Sequence, residues 1–210
     1  TQLKLPTFGD DGSHDADSPA SEDSTSTWEM LPNDDTSDPR FDRHGFRRNA
    51  ARLEHEEAFE NLYAERLAQQ EQRWTRRERG DLSHKELKQL ARTGIPAARR
   101  KTVWPQLCRA AELKAAAPEG YFARLLAMPA ASTASAPGFA AERQIDLDLA
   151  RTFPGHRLLS SADGAARLRQ VLVAYARRSP RVGYVQGMGF VAALLLVFVE
   201  DVEEAFWCLC

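Results

Sequence analysis

Residues 188–199 read MGFVAALLLVFV, and this stretch limits what the chain can become more than any other. Its uninterrupted apolar run, 190–199, is about half the length that a bilayer-spanning helix needs. A helix that is apolar nearly all round and too short for a membrane belongs at the centre of a folded core. The remaining segments have to supply the walls of that core. None of them shows sustained alternation of apolar and polar residues with a period of two, so strands are not expected. The expected fold class is all-α, built from several helices.

The walls follow in order. Between 48 and 79, Leu53, Phe59, Leu62, Tyr63, Leu67 and Trp74 recur at near-helical spacing among Glu, Gln and Arg, and Gly80 ends the run. This predicts one long amphipathic helix. Ser83 and Glu86 have capping-box spacing, and Leu87, Leu90 and Ala91 form an apolar stripe that stops at Gly94. Pro96 suits the first turn of a further helix with Val103, Trp104 and Leu107 on one face. EGYFARLLAM predicts a short helix, and the small residues of 129–138 predict a flexible loop. AAERQIDLDLARTF predicts a helix ending near Phe153-Pro154-Gly155. The next helix starts at an Asp163 cap and places Leu168, Val171, Leu172 and Tyr175 on one face. PRVGYVQG reads as a turn, and Asp201 and Glu204 cap a last helix, VEEAFWCLC. Its apolar residues need partners that the preceding segments scarcely supply. The domain is therefore expected to be incomplete at the C-terminus.

Composition matters most at the other end. Residues 1–40 hold ten acidic residues and two basic ones, with few large apolar groups. Such a stretch cannot bury enough surface to offset its ordering entropy, so a disordered acidic tail is expected there. Residues 41–89 read as a linker and the long helix, and 90–210 as the folded domain. The net charge of -2 supplies no field that would favour nucleic acid. Cys108, Cys208 and Cys210 do not make a closed disulfide framework. The opening residues lack the n-region and h-region of a signal peptide. A cytoplasmic protein without a transmembrane segment is expected.

The five histidines are scattered, with no pair at i, i+4 and none beside a cysteine, so no metal site is expected. GYVQGMG lacks the Lys and Ser/Thr of a phosphate-binding loop. Two places remain. Ile145, Asp148 and Arg151 are three apart and share one helix face. An ordinary ion pair of a few tenths of a kcal/mol, about 0.2–0.5, would account for Asp148 and Arg151. The Thr-Phe-Pro-Gly that follows would equally leave Arg151 beside a loop from which it reaches outward. Gly183 and Gly187 bracket Tyr184, Val185 and Gln186. In a locally extended turn Tyr184 and Gln186 would project to the same side. Gln186 could cap the following helix or fill a turn. Paired with Arg151, it could instead serve phosphoryl transfer, the arginine neutralising charge and the glutamine orienting an attacking water.

Three motifs in order carry a resemblance. GIPAARRKTVWPQL (94–107), IDLDLAR (145–151) followed by TFPGH, and VLVAYARRSPRVGYVQGM (171–188) resemble the opening, arginine and glutamine motifs of the TBC domain of Rab GTPase-activating proteins. RFDRHGF (40–46) is similar to the segment that often precedes that domain. The resemblance covers roughly 90–210, the N-terminal part of such a domain. It places Gly94, Ile95, Pro96, Arg100 and Trp104 in the opening motif, with Arg99 where the family is usually apolar. That departure is expected to weaken local packing. It implies that Arg151 is an arginine finger and Gln186 a glutamine finger. Ile145, Asp148, Tyr184 and Gly187 would support them. The implied partner is a Rab-type small GTPase in its GTP state, served in vesicle trafficking and reached peripherally on endomembranes. GTP and Mg²⁺ would belong to that partner, so the chain would carry no cofactor and act as an activator rather than an enzyme. A non-catalytic Rab-binding or scaffold module is the alternative.

Overall fold

The computed structural model describes residues 38–49, 53–77, 82–129 and 139–210. The expected acidic tail lies outside the described residues except for 38–40, and the expected loop of 129–138 does so except for Pro129. Nine helices appear among the described residues. They are α1 (Leu53–Arg77), α2 (His84–Ala91), α3 (Ala97–Cys108), α4 (Ala110–Ala116), α5 (Tyr121–Ala127), α6 (Phe139–Leu149), α7 (Ala162–Arg178), α8 (Met188–Val199) and α9 (Val202–Leu209). No strand occurs among them; Phe41 with Arg47 and Phe46 with His156 form isolated bridges only.

The core is centred on α7 and α9 as much as on α8. Leu168, Val171, Leu172, Val173, Ala174 and Ala176 bury most of α7. That helix packs against α5, α6, α8 and α9. The terminal helix does find partners within the chain. Ala205, Phe206 and Trp207 are buried, and Phe206 meets Phe122 with ring centroids 5.1 Å apart. Full burial of a side chain of this size contributes about 1.5–3 kcal/mol. The expectation for α8 needs the opposite correction. Gly189, Ala192, Ala193, Leu195, Leu196, Val197 and Val199 are buried, but Phe190, Val191 and Leu194 are exposed by 47%, 54% and 40%. The described helices α3, α7 and α9 cover only part of the cylinder, and the apolar pattern runs all the way round it.

Other departures are local. The capping box is present, with Ser83 Oγ accepting from the Glu86 amide and Glu86 Oε2 accepting from the Ser83 amide. Asp201 Oδ1 accepts from the Glu204 amide at the start of α9. The cap of α7, however, is Ser161, whose Oγ accepts from the Gly164 amide at 3.0 Å; Asp163 lies within the first turn. Pro96 sits at the N-cap of α3 rather than inside its first turn. The sequence pattern does not predict α4, which is Ala-rich and follows α3 through Arg109 in a left-handed conformation.

A second, smaller cluster consists of Trp74, Leu87 and Val103, with Leu82, Leu90, Ile95 and Leu107 against it. It fastens the C-terminal end of α1 to α2 and α3. Toward its other end α1 exposes Phe59 and Leu62, so its apolar face is only partly used.

Candidate functional site

The α6 helix delivers the first loop. Ile145 is fully buried in the main core and fixes the rotation of the helix. One turn on, Asp148 is 9% exposed. The helix closes at Leu149, and Arg151 lies just past the end, its amide donating to the Asp148 carbonyl at 3.1 Å. The end comes earlier than the Pro-Gly pair suggests. The turn tightens there, and Phe153 takes a left-handed φ of 51°. Thr152 is buried and donates its hydroxyl to the Asp148 carbonyl at 2.8 Å.

Asp148 joins this loop to the second one. Its Oδ1 accepts from Arg151 Nη2 at 3.0 Å and from Gln144 Nε2 at 3.1 Å; its Oδ2 accepts from the Tyr184 hydroxyl at 2.9 Å. Burial, and then this hydrogen bond to the carboxylate, push the Tyr184 phenol up to about 12. The hydroxyl therefore stays protonated near neutrality and stays a donor. The Arg151 side chain is 67% exposed while the Asp148 side chain is 13% exposed, so the carboxylate steadies a guanidinium that extends into solvent.

The second loop runs between α7 and α8. The amides of Val182 and Gly183 both donate to the Ser179 carbonyl, which closes the end of α7. The N-cap of α8 is Gly187, with φ at 97° and no side-chain cap. A left-handed backbone at this point suits glycine, since a side chain would strain it. Gln186 is exposed and makes no side-chain hydrogen bond to any described residue, so it does not cap α8. Tyr184 is half-buried on Asp148, while Gln186 is exposed to solvent. The sequence reading missed Gly189. A methyl group there would lie 2.9 Å from Thr152 Oγ1 and 3.4 Å from the Tyr184 hydroxyl, so its bareness lets the two loops meet. A glycine at the second position of an apolar helix was the only visible signal.

The opening motif lies elsewhere. The Gly94 carbonyl accepts from Trp74 Nε1 at 2.8 Å, Pro96 is buried, and Ile95 packs in the small cluster. Arg100 lies over the Phe198 ring at 4.5 Å, and Trp104 meets the same ring edge-on at 5.1 Å. Arg100 and Trp104 thus hold α3 against α8. Arg99 makes an ion pair where the family is usually apolar. Its Nε donates to Glu71 Oε1 at 3.1 Å and ties α3 to α1. No group of three or more His, Cys, Asp or Glu among the described residues is arranged to hold a metal ion.

The all-helical fold has the architecture of a RabGAP-type TBC domain. The solved TBC domain of a Chlamydomonas flagellar RabGAP matches it with a TM-score of 0.58 and 29% identity, over 80% of this chain and 57% of that one. The chain belongs to the Rab-GTPase-TBC domain family, whose model matches residues 98–210. It is 40% identical over 126 residues to TBC1 domain family member 2A of Bos taurus, and 41% identical over 128 residues to TBC1 domain family member 2B of Xenopus tropicalis. Each match covers 59% of this chain and 13% of the relative, so the chain spans about an eighth of their length. No helix among the described residues is long and apolar enough to cross a membrane.

Proposed function

We propose that this chain bears the finger-carrying face of a GTPase-activating protein for a Rab-type small GTPase in its GTP state. Arg151 supplies a positive charge to the phosphoryl oxygens as the β–γ bond of GTP breaks. Gln186 orients the water that attacks the γ-phosphorus, accepting from it and donating to the phosphoryl group. GTP and Mg²⁺ come with the partner. The observation that carries this reading is Asp148, one nearly buried carboxylate bonded to both Arg151 and Tyr184. An isolated surface ion pair needs neither the burial nor the second loop. Exposed Leu147 and Val185 flank the two side chains, which fits a protein partner. Membrane association would follow from the partner, at the surface of endomembranes.

Single-turnover GTP hydrolysis across a Rab panel tests it. Arg151→Ala is expected to lower the stimulated rate about 10³- to 10⁵-fold, or roughly 4–7 kcal/mol of barrier. Gln186→Ala is expected to fall by a similar order. Equal rates for the wild type and both variants on every Rab, with binding retained, would instead favour a non-catalytic Rab-binding module.

A further inference from the structure

The segment ahead of the domain is built onto the arginine loop. Asp42 Oδ1 accepts from the amides of His44 and Phe46 at 2.9 and 2.8 Å, folding residues 41–47 into a tight turn. Gly45 has φ at 86°, and a methyl group there would stand 3.1 Å from His156 Nε2, so only glycine lets the turn lie flat on that ring. Three bonds then sew the turn to residues 155–157. The Arg47 amide donates to the Gly155 carbonyl, the Arg157 amide donates to the Gly45 carbonyl, and His156 Nε2 pairs with the His44 carbonyl at 2.8 Å. His156 Nδ1 accepts from the amides of Leu158 and Leu159.

The rings complete the link. Phe46 meets Phe153 edge-on at 5.2 Å and His156 at 4.7 Å, and Phe153 meets Phe190 of α8 at 5.1 Å. Phe153 is the bulky residue in the left-handed conformation, two places after Arg151. That conformation is unfavourable for a bulky side chain and persists only where neighbours over-determine it. Two edge-on ring contacts, one from the segment and one from α8, are such neighbours.

We infer that residues 41–47 form a strap that sets the course of the arginine loop, with Phe46 a positioning residue for Arg151. This rests on the finger reading proposed above. Without Phe46 the turn at Phe153 loses one of its two ring supports. It relaxes toward an ordinary conformation and carries the exit of Arg151 with it. A displacement of about 1 Å in a catalytic group costs on the order of a hundredfold in rate.

The test uses the full-length protein with a responsive Rab loaded with GTP. Phe46→Ala is expected to lower the saturating hydrolysis rate about ten- to a hundredfold. The Rab concentration for half-saturation should stay within about twofold, because uniform binding is untouched. Phe46→Tyr, which keeps the ring, restores the rate. In an Arg151→Ala background Phe46→Ala adds no further loss, since both act through one group. Hydrogen exchange reads the structural half independently: amides of 152–159 lose protection in Phe46→Ala while those of α7 keep theirs. A wild-type rate in Phe46→Ala, an undiminished further loss on Arg151→Ala, or unchanged exchange at 152–159 overturns the inference. If Arg151→Ala is itself without effect, the finger reading falls and the positioning role falls with it, while exchange still reports whether Phe46 orders the loop.

Discussion

Asp148 owes its effect to position more than to charge. A surface carboxylate three residues before an arginine is worth a few tenths of a kcal/mol, about 0.2–0.5, and fixes nothing. Here burial leaves Asp148 few ways to be satisfied, and Gln144, Tyr184 and Arg151 take up its oxygens. His156 is the neighbouring case in which a side chain must stay uncharged. Two amides point at its Nδ1, so a proton there would face two donors. Burial holds its titration below the ordinary 6.5; the His44 carbonyl and Asp42 push it back up, and Arg157 lowers it. The sign follows from linkage. The unfolded chain binds the proton first, so the stability tied to neutral His156 is complete above pH 6.5 and is lost as pH falls through the lower folded value. The His156 ring proton signal should therefore titrate below 6.5 in an NMR series, with the melting temperature declining from pH 7 to pH 5; a midpoint at or above 6.5 would show that the folded chain does not hold this ring uncharged.

Between residues and fold stand the helices, and their ends were the most legible part. Ser83 with Glu86, and Asp201, announced themselves because a cap is a local event. Ser161 was passed over for Asp163 because both can accept from an amide and the choice depends on where the first turn begins. The α4 helix has no Pro or Gly before it and little apolar stripe, so neither punctuation nor periodicity marks it. Arg151 and Gln186 could be picked out by motif; Phe46 and His156 also lie in quoted motif segments, but nothing local says that residues so far apart will touch. The same holds for Glu142 and Arg177. Arg177 Nε donates to Glu142 Oε1 at 2.8 Å, and Nη1 donates to the carbonyls of Leu125, Leu126 and Met128. Both side chains are about nine-tenths buried, so one guanidinium binds the end of α5 and the start of α6 to α7. Removing one partner of a buried pair strands the other charge and costs about 3–5 kcal/mol. Arg177→Ala should lower stability by that order in denaturant melts, and a loss below about 1 kcal/mol, the scale of an exposed pair, would show that the pair is not structural.

At the scale of the whole described unit, the apolar residues divide into two clusters that share α3 as a wall. Val103 and Leu107 face the small cluster around Trp74, while Trp104 leans on Phe198 of α8. The long helix α1 therefore reaches the rest through its last turns, by Trp74 on the Gly94 carbonyl and Glu71 on Arg99. Both loops of the candidate site rest on the larger cluster, through Ile145, Tyr184 and Met188. Damage to the small cluster should then stay on its own side of α3. Replacing a buried tryptophan by alanine costs about 3–5 kcal/mol, more than three buried side chains in a small cluster can readily absorb. Trp74→Ala is expected to release the amides of α1 and α2 to rapid exchange while those of α7, α8 and α9 remain protected. The stimulated hydrolysis rate should change by less than about twofold, well under the tenfold that 1.36 kcal/mol of barrier would bring. Exchange that rises in all helices together would mean that α3 transmits the loss and the two clusters form one cooperative unit. A rate that falls with α1 alone released would mean that the long helix itself supports the two loops of the candidate site, a role for which its contacts on α2 and α3 give no physical route.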